Sequence, residues 1–354
     1  MSTRFTLDGS EKLERHLEKV CDEVRLAVKA LIPASKLEGL ALAGGYGRGE
    51  GGVLRTAEGD APYNDIEFFV FIRGSTFLNE RRFKRALHAL GERLTPAAGI
   101  EVEFKVISAN ELRRAETSMF YYDLVMGHRW LIGDDHLLKG CAHHRDASHI
   151  PLREATRLLF NRCSGLLFAK ERLQRPAFTA EDADFVARNI AKAQLALGDA
   201  LLASEGRYHW SCRERHLRLE ADEAMRRHHA IGVEFKLHPH RSSESREALA
   251  ALHGEVTELA RGIFLNIEAR RLGLLYATPA EYAKDTLNKC PEQPLWKNIL
   301  QHLRTPHVPL GVPQPVERHP RESLLHALCL MLWENLLITR ERMLAYTTLW
   351  HRFN

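Results

Sequence analysis

The sequence predicts an α+β protein: a mixed sheet with flanking helices over residues 1–148, then an all-α helical bundle over 149–354. Three observations carry that prediction. Short apolar or alternating segments, the pattern of strands, crowd together at residues 40–43, 66–72 and 99–108. A glycine-dense break, with Gly44, Gly45, Gly47, Gly49, Gly51 and Gly52, separates the first two. Beyond Pro151 no strand–glycine pattern returns, and apolar residues recur at helical spacing almost to the end.

Residues 10–32 read as a helix. Ser10 suits the N-cap, and Leu13, Leu17, Val20, Val24, Ala27 and Leu31 form one stripe before Pro33 stops it. A strand at 40–43 (LALA) enters the glycine turn, and a second strand at 66–72 follows. In that strand Ile66, Phe68 and Val70 share one face, while Phe69 and Phe71 make the other face apolar too. A run apolar on both faces belongs in the middle of a sheet. Residues 79–94 form a helix with Phe83, Leu87, Leu90 and Leu94 on its stripe. The order helix, strand, strand, helix suits a mixed sheet layered with helices.

In GIEVEFKVIS, residues 99–108, Val102, Phe104 and Val106 alternate with Glu101, Glu103 and Lys105. A helix is expected over 109–115, and the aromatic-rich stretch at 117–133 closes the first domain. His143, His144 and His149 fall in a loop with no Cys or acid at ligand spacing on a regular element. They read as a solvated linker rather than a metal site.

The second half reads as successive helices. Residues 152–173 carry Leu158, Leu159, Cys163, Leu166 and Leu167, and Pro176 stops them. Thr179 caps a helix over 180–203 with Asp182 as its capping-box partner. Residues 209–240 interleave basic and acidic side chains, the composition of solvated helix faces, with an RNA or acidic-partner surface as the alternative. A long amphipathic helix spans 244–275, another lies within 279–303, and five prolines in 305–320 make a linker or strap. One final apolar helix, with Trp333 and Trp350, is expected over 322–353.

The chemistry concentrates around the glycine turn. Asp65 and Glu67 sit two apart at the mouth of the 66–72 strand, so their carboxylates project to one side. Like charges about 4 Å apart repel by roughly 4 kcal/mol at an effective dielectric near 20, unless water, a shared proton or a cation intervenes. The glycine turn points to a cation, because glycines let backbone N–H groups ring a phosphate, and Arg48 adds a guanidinium in the same loop. A phosphate cradle beside two carboxylates is what a metal–nucleoside triphosphate requires.

GGYGRGE followed by the strand motif D-I-E resembles the signature of the DNA polymerase β-like nucleotidyltransferase superfamily. The glycine turn is especially similar to that of the bacterial PII uridylyltransferases. The resemblance implies that Gly44 and Gly45 hold the triphosphate, with the backbone near Gly47 helping. It also implies that Asp65 and Glu67 bind two Mg²⁺ ions, and that a neighbouring strand adds a third carboxylate. Glu103 is the first choice and Glu101 the reserve. Nineteen residues separate Gly45 from Asp65, more than the family usually has, and residues 51–62 read as an inserted surface loop. Residues 188–208 resemble the helical bundle of antibiotic-type nucleotidyltransferases. By that resemblance Lys192 reaches a phosphate and Tyr208 stacks on a base. Without it, Lys192 joins Arg188 and Asp199 on an ion-paired exposed face.

The expected activity is a Mg²⁺-dependent nucleotidyltransferase. It moves a nucleoside monophosphate from a nucleoside triphosphate, ATP being the commonest donor in comparable enzymes, to an acceptor hydroxyl, releasing pyrophosphate. Asp65, Glu67 and Glu103 are the metal-holding catalytic residues, and Gly44, Gly45, Gly47, Arg48 and Lys192 the nucleotide-binding ones. The acceptor is a small molecule or a protein side chain. The alternative is a non-catalytic nucleotide sensor or scaffold, for which the longer insertion and Glu at two acidic positions leave room.

Composition excludes other classes. A net charge of +4 falls short of the field of a dedicated duplex binder, which disfavours a nucleic-acid partner. Six cysteines without a CxxC pair read as reduced thiols in a cytoplasmic protein. The stretch MSTRFTLDGSEKLERH lacks the apolar core of a secretory signal, and the most apolar late segment, broken by His326 and Glu334, is too short for a bilayer. No Walker-A lysine, dinucleotide βαβ spacing, G-x-S-x-G elbow or HExxH motif is present. Asp65 and Glu67 are too close along one strand for the separated acid and base of a glycosidase.

Overall fold

A computed structural model describes residues 4–305, 308–334 and 336–354. Its first helix, α1 (Glu11–Leu31), starts where Ser10 Oγ accepts the Leu13 N–H. There follow β1 (Leu37–Leu42), α2 (Gly44–Arg48), β2 (Val53–Thr56), β3 (Gly59–Pro62) and β4 (Asp65–Ile72). Next come α3 (Thr76–Ala98), β5 (Glu101–Ile107), α4 (Ala109–Leu112), α5 (Met119–Met126) and β6 (Arg129–Ile132). The sheet order is β5–β4–β1–β6, with β4 parallel to β5 and antiparallel to β1. β1 is also antiparallel to β6, so the sheet is mixed, as expected.

Its two faces explain the doubly apolar β4. Ile66, Phe68, Val70 and Ile72 pack with Leu13, Leu17 and Val24 of α1 and with Phe83 and Leu87 of α3. Phe69 and Phe71 pack on the other side with Leu112 of α4 and with Leu124 and Val125 of α5. Each such side chain, fully buried, contributes about 1.5–3 kcal/mol. The acids at the start of β4 are thereby anchored to a strand whose later residues are buried on both faces.

The chain divides into two compact units. The first takes the chain up to Pro151 together with Leu202–Ala221 and Val233–His240; the second comprises Leu152–Leu201, Asp222–Gly232 and Arg241–Asn354. The later helices are α6 (Leu152–Leu173), α7 (Ala180–Ser204), α8 (Cys212–Arg218), α9 (Glu223–Leu237) and α10 (Arg246–Leu272). After these come α11 (Pro279–Lys284), α12 (Leu295–Leu303), α13 (Pro320–Trp333) and α14 (Arg340–Phe353). The α7 capping box forms: Thr179 N–H donates to Asp182 Oδ2 at 3.1 Å and Asp182 N–H to Thr179 Oγ1 at 3.2 Å. In the second unit, Phe264 of α10 stacks near Tyr282 of α11 and Trp333 of α13, with ring centroids 5.2 and 5.3 Å away.

Several local expectations are corrected. The stretch read as an inserted loop contains an antiparallel hairpin, β2–β3, whose four paired positions run from Val53↔Pro62 to Thr56↔Gly59. The glycine turn is partly helical, as α2. The aromatic stretch hides strand β6, which supplies the sheet's second edge by pairing with β1. The helix after β5 ends at Leu112, three residues short of the expected end. The final apolar segment is two helices, because α13 ends at Trp333 and a new cap forms at Thr339. The 279–303 segment likewise holds two short helices. Residues 308–319 carry neither helix nor strand, while Pro306 and His307 of the proline-rich strap lie outside the described residues.

The histidine loop is solvated only in part: His149 is exposed and His143 half-buried. His144 is fully buried, and its Nε2 lies 2.8 Å from the Leu112 carbonyl oxygen. The charge-dense 209–240 segment is also less solvated than its composition implies. Arg215, His228 and His229 are buried, and His229 Nε2 lies 3.1 Å from Asp199 Oδ1 within the second unit. All six cysteines are free and buried. Among the described residues, no helix is long and apolar enough to cross a membrane.

Candidate metal centre

The parallel pairing of β4 and β5 sets the site. Register places Asp65 opposite Glu101, Glu67 opposite Glu103 and Phe69 opposite Lys105. Because side chains alternate, Asp65, Glu67, Glu103 and Lys105 emerge on one face. One carboxylate oxygen from each of Asp65, Glu67 and Glu103 lies within 4.8 Å of the others. Glu101, the reserve candidate, sits at the exposed start of β5 and is outside that cluster.

Such proximity opposes full ionisation. Burial, and then the Glu67 charge, hold the Asp65 carboxyl above its usual range. Burial, and then the Asp65 charge, do the same to Glu103. The local cation is Lys105. Its ammonium contacts Glu67 Oε1, lies 3.9 Å from Glu103 Oε2, and rests over the Phe69 and Phe120 rings. Sequence reasoning placed Lys105 only on the polar side of an alternating strand. Its two-residue spacing from Glu103 was the signal that it would share the acids' face. Asn64, held at φ +77°, donates its side-chain amide to Asp65 Oδ1.

The glycine turn abuts this cluster. Ala43 N–H donates to the Glu67 carbonyl oxygen at 2.9 Å, and α2 begins at the next residue. Gly44 has φ +62°, and a Cβ there would lie 2.5 Å from Glu67 Oε2. Only glycine satisfies both the backbone and the carboxylate. At Gly45 and Gly47 a Cβ would instead meet the carbonyl oxygens of Glu50 and Leu42, so these two let the turn fold closely on itself.

Arg48 has a protein partner. Its buried guanidinium donates to Asp123 Oδ2 of α5 at 2.9 Å, and Gly127 packs against its stem. Tyr208 also donates to Asp123 Oδ2, at 3.3 Å, and accepts from Arg215 Nη1 at 3.2 Å. The Tyr208 ring is only 3% exposed, packed against Tyr122 and Arg215. Base stacking by Tyr208, drawn from the resemblance, is therefore corrected: its ring is a core element here. Glu50 is likewise consumed, accepting Ser211 Oγ–H at 2.5 Å and Cys212 N–H at 2.9 Å at the start of α8. Lys236, missed in the sequence, lies near Arg48, Arg215 and Glu50; burial, and then the Arg48 charge, hold its pKa below the usual lysine range. Lys192 belongs to α7 in the second unit.

No family model and no curated protein matches the sequence, so the site is read from its own geometry. Three carboxylate oxygens with no sulfur or imidazole among them form a hard donor set, which suits Mg²⁺ or Mn²⁺ better than zinc or copper. The missing Cβ at Gly44 keeps the turn against those oxygens without a clash.

Proposed function

We propose that the chain is a Mg²⁺-dependent nucleotidyltransferase that moves a nucleoside monophosphate from a nucleoside triphosphate to an acceptor hydroxyl and releases pyrophosphate. The observation that supports this best is the convergence of Asp65, Glu67 and Glu103 beside the glycine turn at Gly44. In this reading the three carboxylates hold the divalent cation. When bound, that cation supplies Lewis-acid stabilisation of the triphosphate and activation of the acceptor hydroxyl. Gly44 and Gly45 offer backbone N–H groups to phosphate oxygens, while the Gly47 N–H closes the turn on the Ala43 carbonyl oxygen at 3.0 Å. Arg48 acts from beneath, keeping Asp123 and α5 in place against the turn. Lys105 orients Glu67 and offsets part of the acids' repulsion.

The acceptor class in this reading is a small molecule or a protein. The test is incubation with each of four labelled nucleoside triphosphates, Mg²⁺ and a cell extract. Label transferred by the wild type and lost in Asp65→Ala supports the assignment; transfer undiminished in Asp65→Ala overturns it.

One contact favours a second reading, a nucleotide-binding protein without turnover. Lys105 already sets a positive charge against Glu67 and near Glu103, as a fixed replacement for a cation would. Nucleotide binding that persists in EDTA, with no transfer across a broad acceptor screen, is the outcome expected of that reading.

A further inference from the structure

A second charged cluster lies wholly within the second unit and plays no part in the acidic centre. A small cavity of about 40 Å³ is lined by Arg153, Arg157, Arg271, Lys289 and Arg321, with Thr156 and Glu292 at its wall. Phe160 and Leu325 supply apolar surface, which keeps the local dielectric low.

The cations are not equivalent. Arg271 is spent on Glu268: Nε reaches Oε1 at 2.8 Å and Nη2 reaches Oε2 at 2.6 Å. Glu268 in turn accepts Thr156 Oγ1–H at 2.5 Å and Tyr282 O–H at 2.7 Å, so its oxygens are occupied. Lys289 is spent on Asp285 Oδ2 at 3.0 Å and on two backbone carbonyls. Arg157 pairs with Glu154 at 3.0 Å.

Arg321 differs. Its Nε and Nη2 donate to the Phe353 carbonyl oxygen at 2.9 and 2.6 Å, and no described carboxylate lies at ion-pairing distance. Burial holds its pKa below the usual arginine range; Cys290, Glu292 and Glu154 oppose that shift and the nearby Arg157 charge adds to it. Its hydrogen bonds thus go to a neutral carbonyl, with the Glu292 and Glu154 charges acting from beyond ion-pairing distance, and a guanidinium fork fits an oxyanion's edge.

We infer that this cavity is an oxyanion site for a phosphate-type group, with Arg321 as its principal ligand and Arg157 at its rim. Size sets the class. One water needs roughly 10–15 Å³ of such volume, so about 40 Å³ holds one tetrahedral oxyanion and not a whole nucleotide. The group is either free orthophosphate or the phosphate of a small phosphorylated molecule whose remainder stays outside. The inference is independent of the proposed transferase activity.

The full-length protein is titrated with orthophosphate, glycerol 3-phosphate and, at matched ionic strength, chloride, by calorimetry and thermal melting. Saturable binding of a phosphate compound that chloride does not mimic is expected. Tighter binding of the monoester identifies a phosphorylated molecule as the source; equal or weaker binding identifies free phosphate. Arg321→Met should weaken binding at least about tenfold, while Asp65→Asn should leave it unchanged. If Arg321→Met does not fold, Arg157→Gln at the exposed rim should weaken it several-fold. Equal effects of phosphate and chloride, or wild-type binding in the folded arginine variants, would overturn the site.

Discussion

Glu268 and Asp65 are both acids held by the fold, yet their surroundings are opposite. Glu268 is fully buried in the second unit and matched by Arg271, Thr156 and Tyr282. Asp65 is half-buried in the first unit, with two further carboxylates inside 4.8 Å and one lysine that favours its neighbours. The first acid has every lone pair answered by protein. The second belongs to a set left short of positive charge. A saturated acid holds structure together, whereas an undersaturated cluster costs stability, which makes it a functional-site candidate.

The largest expected effect lies on the saturated side. Glu268→Gln leaves the Arg271 charge buried without its counter-ion, and the loss expected is about 3–5 kcal/mol. Chemical denaturation should show it as a lower midpoint, with divalent-cation binding unaltered. Asp65→Asn should do the reverse. Removing one of three like charges leaves the melting temperature unchanged or raised, while nucleotide transfer falls by roughly 100-fold or more. A large loss of stability in Asp65→Asn would erase the contrast between the two places.

Gly44→Ala probes the seam between turn and acids. A side chain at φ +62°, driven against Glu67, should cost about 1–2 kcal/mol and weaken divalent-cation binding as well. Both losses are read from a melt and a Mn²⁺ titration on the same sample.

The smallest effect concerns a charge outside both places. His238 lies 3.0 Å from Asp8 and 2.8 Å from Glu234, with Arg55 also paired to Asp8. Burial lowers its pKa, but the hydrogen bonds to Asp8 and Glu234 outweigh this and leave it raised. A raised folded pKa means the stabilisation is fully present below the unfolded value near 6.5 and disappears as pH rises through the folded value. The melting temperature of His238→Gln should therefore lie below that of wild type at pH 5.5 and converge with it at mildly alkaline pH.

The sequence made the acidic centre legible because its geometry follows from period-two alternation in two strands. Asp65 and Glu67 share a face by spacing alone, and Glu103 needed only the parallel register of β4 and β5. Caps at Ser10 and Thr179 were equally local. What escaped was long-range. Arg48 found Asp123, 75 residues away, and no neighbouring residue announces that pairing. β6 is four residues long and has a strand only because β1 offers an unpaired edge. Arg215 falls in a segment whose composition reads as solvated, and the resemblance gives Tyr208 a stacking role, but burial is decided by what packs on them. Lys289 and Arg321, 32 residues apart, meet at one cavity for the same reason.

The central claim is that Asp65, Glu67 and Glu103, and not Glu101, hold a divalent cation. Mn²⁺ titration followed by electron paramagnetic resonance tests it most directly on wild type, Glu103→Gln and Glu101→Gln. Saturable Mn²⁺ binding that weakens about 10–100-fold in Glu103→Gln and stays near wild type in Glu101→Gln is the predicted result. Equal binding in all three proteins, or a loss confined to Glu101→Gln, would contradict it.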